Sequence, residues 1–295
     1  MLARLLQVSS QCDNLDVTIF EGESSINFRS QGGSLDLHVK TGQAALKAGN
    51  LFDEFLQYAR YDGEAMKFAD KNLLVYVSTG QSKPGKSTTG RPEIDRPKLR
   101  QILYESLRPG TVKWNHKLKR VEETAGSATL HFADGSTATD FDLVVGADGA
   151  WSHVRPLLSS AQPYYSGIAG HAFSIPDAAA TAPELAALVN RGSLFSWSDG
   201  KSIMAQQMGD GSVSVSTWRV LSEDWRQTCG YDVHDAEAVK AAVRREYAGW
   251  DERLVRFTQV AEDKVTARDL FMLPIGHRWA HRRGVTLIGD AAHLM

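Results

Sequence analysis

The chain has 295 residues, 42% hydrophobic and 23% charged, which fits a soluble globular protein with a large core in one or two domains. Its 33 basic and 35 acidic residues leave a net charge of -2 with no basic stripe and no charge block, which excludes an electrostatic nucleic-acid binder and a charged tail. Its two cysteines, Cys12 and Cys229, form neither a disulfide framework nor a zinc-ligand spacing; with no signal peptide and no apolar run of membrane-span length, a cytoplasmic setting is expected.

Met1 to Gln7 reads as the remainder of a helix with Leu2, Leu5 and Leu6 on one face. Leu15-Asp-Val-Thr-Ile-Phe-Glu21 reads as a strand ending in an acidic residue. In a dinucleotide-binding βαβ unit a strand leads into Gly-x-Gly-x-x-Gly and a helix. A second strand then ends in Asp or Glu about 20 residues after the glycines, where it binds a ribose hydroxyl. The second strand and Glu21 are present here; the first strand and the glycine loop are expected to lie just before Met1. Taken alone, Glu21 is equally compatible with a solvent-facing strand end.

Gly32-Gly33 permits a sharp backbone turn, and a helix is expected from Thr41 to Leu56. Lys71 to Ser78 reads as a strand and Thr79 to Pro92 as a Gly/Ser/Lys-rich surface loop. Glu93-Ile-Asp-Arg-Pro-Lys-Leu-Arg100 then starts a helix, with Asp95 as cap and Pro97 in the first turn. Arg96 and Arg100 are four apart and share one helix face, which suits an anionic ligand, although a solvated face is the commoner outcome. Thr111 to Val121 and Ala128 to Phe132 read as strands, with a hairpin-type turn at Ala133-Asp-Gly-Ser136.

Asp142-Leu-Val-Val-Gly-Ala-Asp-Gly-Ala-Trp-Ser-His-Val-Arg155 combines an apolar strand, a Gly-Ala-Asp-Gly turn and a helix start with Ser152 as cap. A strand, a glycine turn and a helix N-terminus make an anion or nucleotide site, or an ordinary strand-to-helix connection. From about Gln162 to Pro274 the texture changes. Ser166 to Ile175, Ser193 to Trp197, Lys201 to Met208 and Ser212 to Val220 alternate as strands with tight turns between them, an antiparallel sheet suited to walling a pocket. Asp235 to Trp250 has helical periodicity through Ala236, Val239, Val243 and Tyr247. Gly284-Val-Thr-Leu-Ile-Gly-Asp-Ala-Ala-His293 is a second apolar strand that ends in Gly-Asp at a helix start.

Two other constellations carry little. His277 and His281 have the spacing of a helical metal pair, but no glutamate lies between them, and a basic exposed turn is expected instead. Ser152-His153 lacks the Gly-x-Ser-x-Gly elbow of a hydrolase.

The pair Gly-Ala-Asp-Gly-x-x-Ser-x-Val-Arg and Leu-Ile-Gly-Asp-Ala-Ala-His resembles the signature of the FAD-dependent aromatic-hydroxylase-type monooxygenases. Gly32-Gly-Ser-Leu-Asp-Leu-His38 is similar to the tetracycline-inactivating branch of that family, and the helix start Arg96-Pro-Lys-Leu-Arg100 to the Arg-x-x-Leu-Arg helix that members of the family carry. The resemblance implies an α/β chain: a Rossmann-like FAD-binding domain, incomplete here, with an inserted antiparallel-sheet substrate domain. Residues 1–161 are then the FAD-binding domain with some substrate-side strands, 162–274 mainly the substrate domain, and 275–295 the return to the FAD-binding domain.

It also implies roles. Glu21, Asp36, Arg96, Arg100, Asp148 and Asp290 are expected to bind FAD, and Arg29 to receive NADPH. The reduced flavin activates O2 and passes one oxygen atom to an electron-rich substrate as a hydroxyl, an epoxide or an inserted ester oxygen. Approximate alignment sets His171, Ser193 and Met204 near substrate-facing positions, but their residue types depart from the tetracycline branch. An aromatic, polycyclic or alkaloid-like natural product of secondary metabolism is expected, acted on by a monomer. A truncated non-catalytic remnant and a flavin-free binding protein stay open as alternatives. The glycine loop would precede Met1, and the family's Gly-rich helix would follow Met295, so residues 1–295 alone are expected to purify without FAD.

Overall fold

The structure is a computed structural model that describes residues 1–10, 14–28, 32–79, 90–124 and 127–295. Arg29 and Cys12 lie outside the described residues. The chain divides into two compact units that interleave along the sequence: Met1–Leu15, Arg29–Leu107 and Gly167–Asp269 form the first, and Asp16–Phe28, Arg108–Ser166 and Leu270–Met295 the second.

The first unit is built on a seven-stranded sheet. Its strand order is Thr266–Met272, Tyr164–Ile175, Val213–Val220, Lys201–Gln207, Ser193–Ser198, Met66–Ala69, Val75–Thr79. The pairings from Tyr164–Ile175 to Ser193–Ser198 are antiparallel, as the alternating pattern predicts, whereas Met66–Ala69 joins Ser193–Ser198 in parallel. Alternation divides the sheet into two faces. Phe173, Ile175, Leu194, Ile203, Ala205, Val213 and Val215 are buried against the helices Pro183–Val189, Ala236–Glu246 and Glu252–Gln259.

Those helices have legible starts. Asp235 Oδ1 accepts from the backbone N–H of Glu237 at 3.0 Å and of Ala238 at 3.1 Å, and Asp251 Oδ1 from that of Arg253 at 2.9 Å. Each such cap is worth about 0.5–2 kcal/mol. Tyr247, at the end of Ala236–Glu246, donates its hydroxyl to the carbonyl oxygens of Ser202, at 3.0 Å, and Trp218, at 3.2 Å, which pins the helix to the sheet. A short antiparallel ribbon, Ser34–Asp36 with Glu93–Asp95, and a small core of Leu46, Leu51, Phe55, Ile94 and Ile102 complete the unit.

The second unit carries two parallel ladders, Ile19–Phe20 with Val112–Lys113 and Val144–Gly146 with Val285–Leu287, and an antiparallel three-stranded sheet of Leu118–Thr124, Ser127–Phe132 and Thr137–Ala138. Val144, Val154, Val285, Leu287, Ala291 and Phe132 form its core, with Phe20 packed against them.

Several elements differ from expectation. The helix expected over Thr41–Leu56 is two, Gly42–Ala48 and Phe52–Leu56, because Asn50 adopts a left-handed φ of 54° and ends the first. The strand expected over Lys71–Ser78 is the second arm of a hairpin. Asp70 accepts from the N–H groups of Asn72 and Leu74 and folds the turn between Met66–Ala69 and Val75–Thr79. Glu93–Asp95 is strand rather than helix, and the helix runs over Arg96–Glu105. Asp95 sits at its N-cap position, but its carboxylate is occupied by the Gly209 N–H at 2.9 Å instead of the helix. After Ser152 only a 3-10 turn, Arg155–Leu157, forms.

Candidate flavin and substrate site

In the second unit three acidic residues follow the C-terminal ends of parallel strands. Glu21 comes directly after Ile19–Phe20, Asp148 follows Val144–Gly146, and Asp290 follows Val285–Leu287. In α/β sheets ligands bind outside those carboxyl ends. Glu21 accepts from its own loop, the Glu23 N–H at 3.0 Å. Asp148 is exposed, and its Oδ2 accepts from the His153 N–H at 2.7 Å. Ser152 Oγ accepts from the N–H groups of Val154 and Arg155, at 3.1 and 3.0 Å, but it caps no helix: the 3-10 turn that follows has Val154 at its N-cap position. Asp290 is exposed at the start of the short helix Asp290–His293.

The backbone beside these carboxylates is open. Gly289 has φ 59° and ψ -144°, a conformation open to glycine alone, and Gly149 has φ 80°; an added Cβ at either would meet nothing within 4 Å. Exposed carboxylates beside bare glycine backbone match a ligand rich in hydroxyls whose phosphates need close backbone approach. FAD is such a ligand.

The sequence reading missed Arg155. Its side chain is buried, at 2% exposure, and donates from Nη1 to the Ala291 carbonyl oxygen at 3.0 Å and from Nη2 to that of Ala150. It therefore ties the Gly-Ala-Asp-Gly turn to the helix of the Gly-Asp-Ala-Ala-His motif. Burial lowers its pKa, and the Asp148 carboxylate opposes that shift. The signal was the arginine at the end of the first motif.

In the first unit Asp36 is exposed and paired with His38 at 3.1 Å. Arg96 is exposed at the first position of its helix, donates its N–H to the Gly33 carbonyl oxygen at 3.2 Å, and lays its Nε 3.8 Å from where a Gly33 Cβ would sit. Arg100 is half-buried one turn on. The ribbon Ser34–Asp36 and the Arg96 helix start thus come together, as the two motifs imply.

The three residues expected to face substrate are divided by the sheet. In register, Ala172, Ser216, Met204, Phe195, Phe68 and Val77 form one row, on the face away from the helices. Ser193 lies on the same face, in a row with Gln206 and Ser214. His171 belongs to the other face, in a row with Thr217, Ile203, Ser196 and Ala69. It is 1% exposed and packs edge-on against Trp225, with ring centroids 5.3 Å apart. Burial first, then the charges of Arg219 and Arg226, lower its pKa to about 4, so it is neutral at pH 7. His171 is a core histidine under the helices, which parity along its strand already encodes.

The face that carries Met204 and Ser193 is graded. Phe68, Phe195 and Trp197 stack with centroids 5.2–5.6 Å apart and interplanar angles of 10–22°. Trp197 stays 45% exposed, so the stack offers a free ring. Trp218 shares that face, while Trp225 is buried with His171. Toward the opposite margin the row of Ser214, Gln206 and Ser193 is polar; Ser193 is buried and the Gln206 amide is engaged by Ser34 and Glu93, which leaves Ser214 half-buried on that face. No group of residues able to hold a metal ion occurs among the described residues, and none of their helices is long and apolar enough to cross a membrane.

Two parallel strands that end in glycine turns and exposed carboxylates, and a second sheet with an aromatic face, define the α/β class that suits a flavin. The comparisons agree. The FAD binding domain family matches residues 65–295. The monooxygenase penA of Penicillium thymicola is 31% identical over 340 residues, which span 100% of this chain and 76% of its own length. Among solved structures, Klebsiella pneumoniae HpxO complexed with FAD and uric acid superposes with a TM-score of 0.72 at 18% identity, over 99% of this chain and 70% of that one. The tetracycline destructase Tet(55) does so with a TM-score of 0.66 at 17% identity, over 99% and 71%. At those identities the two structures show the fold. The chain belongs to the FAD binding domain family and is an FAD-dependent monooxygenase.

Proposed function

We propose that this monooxygenase uses NADPH and O2 to hydroxylate or epoxidise a planar aromatic or polycyclic natural product, as a monomer in secondary metabolism. The observation that carries the substrate class is the graded sheet face. Ring stacking beyond area burial contributes about 0.5–1.5 kcal/mol per pair, and Trp197 leaves one ring free to form such a pair. Ser214, half-buried on the same face, complements a polar edge on the same molecule. Met204, polarizable and unbranched, fits an irregular aromatic outline between the two regions.

FAD, when bound, supplies the redox chemistry: it takes a hydride from the nicotinamide coenzyme and delivers one atom of O2 to the substrate. The residues named here bind and orient. Glu21, Asp148 and Asp290 offer carboxylate oxygens to ribose and ribityl hydroxyls, while Arg96 and Arg100 offer guanidinium groups to phosphate or to the flavin edge. Asp36 takes a place beside them on the ribbon. Arg29 is assigned to the coenzyme. HpxO binds uric acid and Tet(55) is a tetracycline destructase; uric acid and tetracycline are both fused-ring compounds, in keeping with a polycyclic substrate.

The test is a substrate panel given to the full-length protein with NADPH, comparing planar fused-ring phenols and lactams with saturated rings of the same size. Turnover of the planar set, lost on Trp197→Ala and Phe195→Ala with flavin content intact, supports the assignment. Equal turnover of saturated rings contradicts it.

A further inference from the structure

One buried carboxylate joins three segments of the first unit. Glu93 is 7% exposed. Its Oε2 accepts from Ser34 Oγ at 2.5 Å and from Arg60 Nη2 at 3.1 Å, and Gln206 Nε2 lies 3.2 Å from Oε1. The Ser34 N–H in turn faces Gln206 Oε1 at 3.4 Å, and Arg60 Nη2 also reaches the Gln207 carbonyl oxygen at 2.9 Å. Ser34–Asp36 pairs antiparallel with Glu93–Asp95, so Asp36 stands directly opposite Glu93, and Arg96 is the next helical residue after that strand. Gln206 belongs to the aromatic-bearing face of the large sheet.

We propose that Glu93 is a positioning residue for the cofactor: as a carboxylate it anchors the ribbon to the sheet through Ser34 and Gln206, and thereby presets Asp36 and Arg96 for FAD. This rests on the assignment of Asp36 and Arg96 to FAD made above. The physical reason is bond strength. Hydrogen bonds to an ionised acceptor are roughly twice as strong as neutral ones, and three donors from three segments converge here.

The charged neighbours are Arg60 and Asp95, which pair at 3.6 Å, Asp36 across the ribbon, Asp62 and Glu64 in the turn that packs on Glu93, and Arg96 at the helix start. Burial pushes the Glu93 carboxyl above the ordinary carboxylate range, while Ser34, Arg60 and Gln206 draw it back and Asp36 adds to the rise. Protonation therefore sets in at a higher pH than for a free glutamate and weakens the anchor. FAD affinity is then greatest with Glu93 charged and declines as pH falls through its titration. A merely electrostatic role predicts the opposite sign, because removing a negative charge beside an anionic cofactor tightens binding.

The experiment measures the FAD dissociation constant of full-length apoprotein by flavin-fluorescence titration from pH 5 to 8. The variants are Glu93→Gln, Gln206→Ala, their double mutant, Ser34→Ala, Asp36→Ala and Arg96→Ala, with a melting temperature for each. Glu93→Gln is expected to weaken FAD binding roughly tenfold at pH 8, or about 1.4 kcal/mol. It should flatten the pH dependence and show non-additivity with Gln206→Ala. Unchanged or tighter binding by Glu93→Gln, or strict additivity, overturns the anchor. Should Glu93→Gln fail to fold, Ser34→Ala and Gln206→Ala carry the same expectation at smaller size, and undiminished affinity in both overturns it. Wild-type affinity in Asp36→Ala and Arg96→Ala sinks the underlying site assignment instead, whatever Glu93 does.

Discussion

Arg155 Nη1 donates to the Ala291 carbonyl oxygen at 3.0 Å, across 136 positions of sequence, and this bond joins the two flavin motifs of the second unit. Both ends are buried, Arg155 at 2% exposure and Ala291 at 0%. Replacing Arg155 with alanine strands the Ala291 carbonyl oxygen and removes the bond to Ala150. A buried unsatisfied group costs about 1–3 kcal/mol, so Arg155→Ala should lower the unfolding free energy by that order and the denaturation midpoint with it. Arg155→Lys should recover little, since an ammonium lacks the planar fork that reaches two carbonyls. Denaturant titration checks both; a midpoint equal to wild type would remove Arg155 from this role.

Asp290 and Asp148 should be needed for flavin retention. Each follows a parallel strand end, beside glycine backbone open to a ligand. Asp290→Ala in the full-length protein should purify with its flavin absorbance much reduced. Asp148→Ala should lose flavin and some stability together, because its carboxylate also accepts from the His153 N–H. Stoichiometric flavin in Asp290→Ala would count against the assignment.

Arg29 should matter for coenzyme and not for flavin. Arg29→Ala is expected to slow anaerobic flavin reduction by NADPH in stopped flow while flavin content holds. An unaltered reduction rate takes Arg29 out of the site.

His171 sets a pH dependence of stability. Its pKa is lowered from 6.5 to about 4 in the folded chain. As pH falls below 6.5 the unfolded chain takes up a proton that the folded one refuses until about pH 4. Stability from this group is therefore complete above pH 6.5 and declines between those values, by at most about 3 kcal/mol. His171→Phe should be less sensitive to pH in that window, measured by urea unfolding at pH 7 and pH 5. Identical slopes in both proteins would contradict the assignment of His171 as a buried neutral side chain.

Much of this was legible in the sequence, and the rest was not for identifiable reasons. The apolar strands ending in Gly-Ala-Asp-Gly and Gly-Asp marked the second unit because each motif is local. The sheet strands from Ser166 to Val220 were legible by alternation. Met66–Ala69 was missed: it is only four residues long and its pairing with Ser193–Ser198 spans the chain. Glu93–Asp95 looked like a helix start because Asp-x-Pro is a capping pattern; the ribbon with Ser34–Asp36 and the Gly209 N–H outcompeted the cap. His171 was grouped with Met204 by residue spacing along an alignment, but facing is decided by strand parity, and parity puts it under Trp225. The Glu93 hub has no local signature, since its partners lie 33 to 113 positions away.

The proposed reaction of the full-length protein, with FAD bound, is insertion of one atom of O2 into a planar aromatic substrate. The most direct measurement is turnover of the full-length protein with NADPH under 18O2, using the planar fused-ring panel and mass spectrometry of the product. The expected product carries one 18O atom, formed with one NADPH consumed, and its yield falls in Asp290→Ala with the flavin content. Label entering from H218O instead, or hydrogen peroxide as the sole oxygen product with every planar compound, would contradict it.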